Sequence, residues 1–306
     1  MATASSTPLG ASQEASAITT VSASEESVGQ YDLLIVGPGV LGRIVADRWK
    51  QEHPGCKIFG HTVTTDHHSE LIQLGIIPSL KGPVAQKVPY VIFCAPPYRT
   101  DDYPGDLRVA ASNWNGEGSF LFTSSTAVYE CSDNGLCSED SPCVPIGRSP
   151  RTDVLLKAEN VVLEAGGSVL RLSDKGPHVF WLSKGTLDSR PDHILNLIHY
   201  EDAASLAFAI MKRRLRARVF VGCDNQPLSR LLQTSSCRAD LLFIYEQFWR
   251  EIMDLVNRSG KFDMKFQGFT GTDGPLGKRM ENYKTRAEIG WQPKYPSFTE
   301  FLGLSS

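Results

Sequence analysis

The chain has 306 residues, and none of its apolar runs is long enough to span a bilayer. No membrane partner is therefore expected. Its seven cysteines, at 56, 94, 131, 137, 143, 223 and 237, contain no Cys-x-x-Cys pair. Cys131, Cys137 and Cys143 are evenly spaced, but no histidine cluster accompanies them, so no metal site is expected. An odd number of scattered cysteines points to reduced thiols in a reducing compartment. A basic field is missing too. The 31 Lys and Arg are outnumbered by 34 Asp and Glu, for a net charge of −3, which gives no ground for nucleic acid as a partner. No basic residue precedes Arg43.

What stands before Arg43 is of two kinds. Residues 1–28 are Ala, Ser and Thr almost throughout. Such a segment cannot bury a core, and disorder is the expectation. A plastid transit peptide, and with it a plant source, is one reading, since such segments are rich in hydroxylated residues. The missing basic residues and the acidic Glu14, Glu25 and Glu26 count against it, and a solvated tail on a cytoplasmic protein is the alternative, but the reading leans to the plastid.

The folded part begins at Tyr31. Leu33 to Val36 reads as a short buried strand. Gly37, Gly39 and Gly42 then give G-x-G-x-x-G, followed by an amphipathic helix to about Trp49. Between strand and helix each glycine has a task. Gly37 makes the tight turn, Gly39 admits a pyrophosphate to the backbone, and Gly42 lets helix and strand pack closely. Pro38, Val40, Leu41 and Arg43 complete this cradle, and the helix N-terminus offers N–H groups to the phosphates. A glycine turn with no ligand is the alternative.

The second strand is expected over Cys56 to Thr62. An NAD site places Asp or Glu at its end to hold the ribose hydroxyls. Here Gly60, His61 and Thr62 occupy those places, and the missing acid leans the reading toward NADP. Arg43 could meet a 2′-phosphate, or it could be a surface residue. A fourth strand, Tyr90 to Pro97, carries Cys94, Ala95 and Pro96 past the cofactor at its carboxyl end. A helix over "DLRVAASNWN" leads to a fifth strand and its exit, Ser119 to Glu130. The alternation predicts an α/β fold with a doubly wound parallel sheet.

Motifs along the rest of the chain give a specific resemblance. "FTSSTAVYE", "SEDSPCVP", "VLRLSDKGP", "LNLIHYEDAA" and "KTRAEIGWQPKYPSFTEFL" follow one another in the order and spacing of the extended and atypical short-chain dehydrogenases, the NAD-dependent epimerase/dehydratase group. The resemblance runs from Tyr31 to about Leu304. It implies a Rossmann-like core over 29–175, with the remaining sheet elements and a small C-terminal substrate lobe over 176–306.

The resemblance also implies a serine, tyrosine and lysine at the reacting centre. The serine carries over to Ser125. In "SPRTDVLLKAEN", Ser149-Pro150 and Glu159 match the surroundings of the tyrosine and lysine, whose own positions hold Arg151 and Leu155. Arginine stays protonated and is no ordinary acid or base, and leucine has no charge. Arg151 could instead clamp an anion or lie at the surface. Tyr129 could donate a proton or pack beneath its loop. Lys157 is two residues, about 200° of helix turn, from Leu155, so it points elsewhere. A positioned acid–base group is worth about 10²–10⁴ in rate, so the ordinary mechanism is not expected.

In the second half, Asp202 is the expected N-cap of "AASLAFAIM". The basic run Lys212 to Arg218 complements a helix C-terminus, with nucleic-acid binding the weaker alternative. Leu231 to Arg250 reads as an insertion. Gly268 to Arg286 reads as a loop near the substrate cleft, where Lys278 and Arg279 could bind a phosphate or carboxylate. The expected function is an NAD(P)-binding, epimerase/dehydratase-like oxidoreductase with a degenerate centre and an unknown small-molecule substrate. A non-catalytic dinucleotide sensor or scaffold is the alternative. Monomer and homodimer both remain open.

Overall fold

Four apolar residues, Leu33–Val36, form β1, buried on both faces as a central parallel strand must be. The computed structural model describes residues 27–304, apart from 85, 132, 177–185, 189, 191, 192, 227–254 and 262–266. After β1 come α1 (Val40–Glu52), β2 (Ile58–Thr62), α2 (His68–Gln73), β3 (Ile77–Leu80) and β4 (Val88–Phe93). Then follow α3 (Tyr103–Ser112), β5 (Trp114–Ser125), β6 (Asp133–Cys137), α4 (Pro150–Glu164), β7 (Ser168–Leu172) and β8 (Asp174–Gly176). The chain continues with β9 (Thr186–Leu187), β10 (Leu197–His199), α5 (Tyr200–Arg213), β11 (Val219–Gly222) and β12 (Gly268–Phe269). It closes with β13 (Gly277–Met280), α6 (Tyr283–Ile289) and α7 (Phe298–Leu302).

Seven strands form one parallel sheet in the order β11-β7-β5-β4-β1-β2-β3. This is the doubly wound, Rossmann-like α/β architecture. From β1 the chain winds outward through β2 and β3, then returns to lay β4 on the other side of β1. The order therefore reverses between β1 and β4, and a crevice opens there at the carboxyl ends. Apolar residues line both faces. Helices α1 and α5 pack on one, over a core that includes Val45, Trp49, Leu206 and Ile210. Helices α3 and α4 pack on the other, with Leu107, Phe93, Phe122 and Val162. Small two-stranded pairings, β10-β8, β12-β9 and β13-β6, stand apart from the main sheet.

Several local expectations shift. The helix over "DLRVAASNWN" starts earlier, where Asp102 accepts from Gly105 N–H, and it stops at Ser112. Trp114 already belongs to β5, paired in register with Val88, and its indole N–H donates to the Pro89 carbonyl at 3.0 Å. The N-cap of α5 is His199 and not Asp202: His199 Nδ1 accepts from Glu201 N–H at 3.2 Å. Asp202 instead accepts the N–H groups of Lys294 (2.6 Å) and Tyr295 (2.9 Å), which docks the C-terminal segment. The expected insertion at 231–250 and residues 1–26 of the tail lie outside the described residues. Among the described residues no helix is long and apolar enough to cross a membrane.

Candidate functional site

The glycine turn between β1 and α1 is built as tightly as its sequence suggests. Gly37 has φ +78°, and a Cβ there would sit 2.6 Å from Ala95 Cα and N. A Cβ on Gly42 would meet Ile35 Cγ2 at 2.9 Å and the Gly37 carbonyl at 3.3 Å. Gly39 differs: a Cβ there would meet nothing within 4 Å. Its front is open space, and it is also the N-cap of α1, where no side chain caps the helix. The first N–H groups of a helix have no partner within it, so the positive end of α1 faces that space. The turn therefore forms an open cradle at the N-terminus of α1.

The cradle opens into a cleft of about 660 Å³. Gly37, Pro38, Gly39, Val40 and Arg43 line it from the first turn, His61 and Thr62 from the end of β2, and Cys94, Ala95 and Pro96 from the end of β4. Leu41 and Gly42 lie beneath the lining, packed into the core. The Tyr103 hydroxyl donates to the Ala95 carbonyl at 2.7 Å, which fixes the loop after β4. Burial pushes the Cys94 thiol up to about 12 and holds the His61 imidazole below its ordinary range. Both are therefore neutral near pH 7. Across the cleft, Lys81 pairs with Asp106 at 3.0 Å.

The end of β2 carries no acid, yet an acid is present. Glu70, on α2, accepts from Arg43 Nη2 at 3.0 Å and contacts His67 Nδ1 at 3.2 Å. Arg43 Nε also donates to the Pro38 carbonyl at 3.2 Å. Glu70 and His67 line the same cleft. Reading along strand β2 misses Glu70, because it arrives from the following helix. Only its distance beyond Thr62 in sequence, one short loop, could have suggested it.

The residues expected at the reacting centre sit elsewhere, beyond that lining. Ser125 ends β5, and its Oγ accepts from Ala127 N–H at 3.1 Å, capping a 3-10 turn over Thr126–Val128. Tyr129 is 2 % exposed, its hydroxyl donates to the Glu139 carbonyl at 3.3 Å, and burial pushes its pKa up. Arg151 is exposed in the first turn of α4 and, among the described residues, has no hydrogen-bond or ion-pair partner. Leu155 is buried in the core. Ser125 and Tyr129 flank the same short turn, and Arg151 stands on α4. Among the described residues no group of His, Cys, Asp or Glu could hold a metal ion.

Two basic groups singled out in the sequence are occupied. Lys278 Nζ donates to the Thr126 (2.9 Å) and Tyr129 (2.7 Å) carbonyls, and Arg279 Nε to the Asn134 carbonyl at 3.1 Å. They hold β13 against its neighbours and are not arranged to clamp a phosphate. The run at the end of α5 is likewise spent inside the molecule. Lys212 pairs with Glu52, Arg213 reaches the Ile289 carbonyl, and Arg214 reaches the Tyr90 hydroxyl. Arg216 binds the carbonyls of Gly116 and Glu117, and Arg218 pairs with Glu288.

No protein-family model matches the sequence, and no curated protein matches it. Solved structures do. The chain is similar to a functionally unknown conserved protein from Silicibacter pomeroyi, with TM-score 0.67, 20% identity, and coverage of 89% of this chain and 97% of that one. It is similar to dTDP-glucose 4,6-dehydratase from Bacillus anthracis in complex with NAD, with TM-score 0.66, 15% identity, and coverage of 89% and 94%. It is also similar to UDP-glucose 4-epimerase from Thermotoga maritima with UDP-glucose, with TM-score 0.66, 14% identity, and coverage of 89% and 96%. At such identities the likeness is one of fold: this chain shares the architecture of NAD-dependent epimerases and dehydratases.

Proposed function

We propose that the chain binds a nicotinamide dinucleotide at the β1–β4 switch point and is an epimerase/dehydratase-like oxidoreductase that has lost the tyrosine–lysine proton relay. The observation that carries the binding is Gly39. Its missing Cβ opens onto the uncapped N-terminus of α1, inside a cleft of about 660 Å³. Backbone N–H groups from Gly39 to Gly42 would hold the pyrophosphate, and Cys94 to Pro96 would bound the nicotinamide side. The bound group would supply the hydride acceptor or donor. Ser125 would orient a substrate oxygen through its hydroxyl proton, which the bond from Ala127 N–H to its Oγ leaves available.

The absence of an acid on β2 and the position of Arg43 support NADP, whereas the Arg43–Glu70 pair supports NAD. The protein lacking residues 1–28, titrated with NADH and NADPH by fluorescence, reads that choice. Saturable binding that disappears in Gly39→Glu supports the cradle. No binding of either at millimolar concentration would sink the proposal.

A second reading, a dinucleotide sensor or scaffold without turnover, is favoured by Leu155, which sits buried where the lysine would be needed. A substrate screen separates the two: turnover that falls in Ser125→Ala supports the enzyme. The composition of residues 1–28 supports a plastid location in a plant, read by following a fluorescent fusion of that segment.

A further inference from the structure

Strand β6 and its neighbours bring three cysteines into one corner. Cys137 ends β6, Cys131 lies just before it, and Cys143 forms an isolated antiparallel bridge with Tyr129. Within β6, Asn134 has φ +64°, a left-handed conformation that asparagine tolerates better than most, and the register with β13 shifts there, as at a bulge. The Cys131 sulfur lies 3.8 Å from the Leu136 carbonyl, one residue before Cys137, and the Cys131 thiol is among the groups that raise the Cys137 thiol. The two differ in access. Cys137 is 0 % exposed, while Cys131 is partly exposed.

The corner also touches the turn that follows Ser125. Met280 is the register partner of Cys137, and on the same strand, β13, Lys278 holds the carbonyls of Thr126 and Tyr129. Burial pushes the Cys137 thiol up to about 12, with the Cys131 thiol adding to it, and burial raises Cys143 as well. Both therefore remain protonated thiols, and the partly exposed Cys131 is the member that a solvent-borne oxidant meets first.

We propose that Cys131 and Cys137 are an oxidisable dithiol that closes to an intramolecular disulfide on reaction with a peroxide. The Cys131 thiolate attacks one peroxide oxygen. The O–O bond breaks, and the departing hydroxide takes a proton to become water. Cys131 is left as a sulfenic acid. The Cys137 sulfur then attacks the Cys131 sulfur, and the sulfenic oxygen leaves with the Cys137 proton as a second water. The two thiols lose two electrons, which the peroxide gains. A dithiol reductant reverses the step.

The test treats the full-length protein with stoichiometric hydrogen peroxide, then alkylates it in denaturant. Cleavage before Asp133 and Asp140 puts Cys131, Cys137 and Cys143 on three separate peptides. Mass spectrometry should find the peptides of Cys131 and Cys137 joined, and dithiothreitol should separate them. Cys131→Ser should leave Cys137 fully alkylatable after the same treatment, with circular dichroism confirming the fold. Three results would overturn the proposal: Cys131 recovered alkylated or as a sulfinic acid, a bond from Cys131 to Cys143 in place of Cys137, or undiminished loss of the Cys137 thiol in Cys131→Ser.

Discussion

The Arg171 guanidinium lies 2.6 Å from the Glu159 carboxylate, and both side chains are almost wholly buried. Ser124 Oγ donates to the same carboxylate at 2.5 Å, and the guanidinium sits 4.7 Å over the Tyr129 ring. The pair thus ties α4 to β5 and β7 directly beneath the Ser125 turn. Removing one charge strands the other in a dry interior. Glu159→Gln is expected to destabilise the protein by about 3–5 kcal/mol, read as a lower midpoint in urea. Adding Arg171→Met should recover part of the loss. An unchanged midpoint in the single variant would mean that water reaches the pair.

The glycines of the first turn divide by the space before them: Gly37 is hemmed in and Gly39 is open, so the proposed phosphate site puts the ligand at Gly39. Gly37→Ala meets a positive φ and a Cβ 2.6 Å from the Ala95 backbone, so it should lower stability by more than about 1 kcal/mol. Gly39→Ala meets open space and should change stability by less than about 0.5 kcal/mol, yet weaken dinucleotide binding. Thermal denaturation and fluorescence titration of both variants test the division. Equal loss of stability in the two would contradict it.

Asp224 gives a pH dependence with a definite sign. Its carboxyl is pushed up to about 8 by burial, although Gln226 N–H donates to it at 3.0 Å. The folded chain keeps this proton where the unfolded chain, with a carboxyl pKa near about 3.9, has released it. The contribution to stability is therefore full below about pH 4 and is lost as pH rises through about 8. Asp224→Asn should flatten the decline across this window in denaturation curves taken at several pH values. A slope identical to that of the unaltered protein would assign the decline to other groups.

On the proposed function, Glu70 would compete with a 2′-phosphate for Arg43. Glu70→Gln removes the carboxylate and frees the guanidinium, so NADPH should gain on NADH by roughly fivefold, the scale of one exposed ion pair. Arg43→Ala should erase that gain. Paired titrations measure the ratio; a ratio that does not move in Glu70→Gln would show that Arg43 is not at the ribose.

Sequence alone determined the winding of the sheet and the position of the glycine turn at the start of α1. Both depend on local features: short apolar strands, glycines at fixed offsets, and the helix that must follow them. By resemblance it also led to the expectation that Arg151 and Leu155 stand where a proton relay would need tyrosine and lysine. Tertiary structure decided what depends on long-range partners. Glu70 comes to Arg43 from a different helix, over 27 residues of chain. Asp202, an apparent helix cap, is drawn to backbone N–H groups 92 and 93 residues away. Lys278 and Arg279 look free in a glycine-rich segment but are bound by carbonyls roughly 145 to 152 residues earlier. Periodicity and spacing describe a residue's own element, whereas the partner that fixes its charge or frees its proton belongs to another. Only the packing of one element on the next brings the two together.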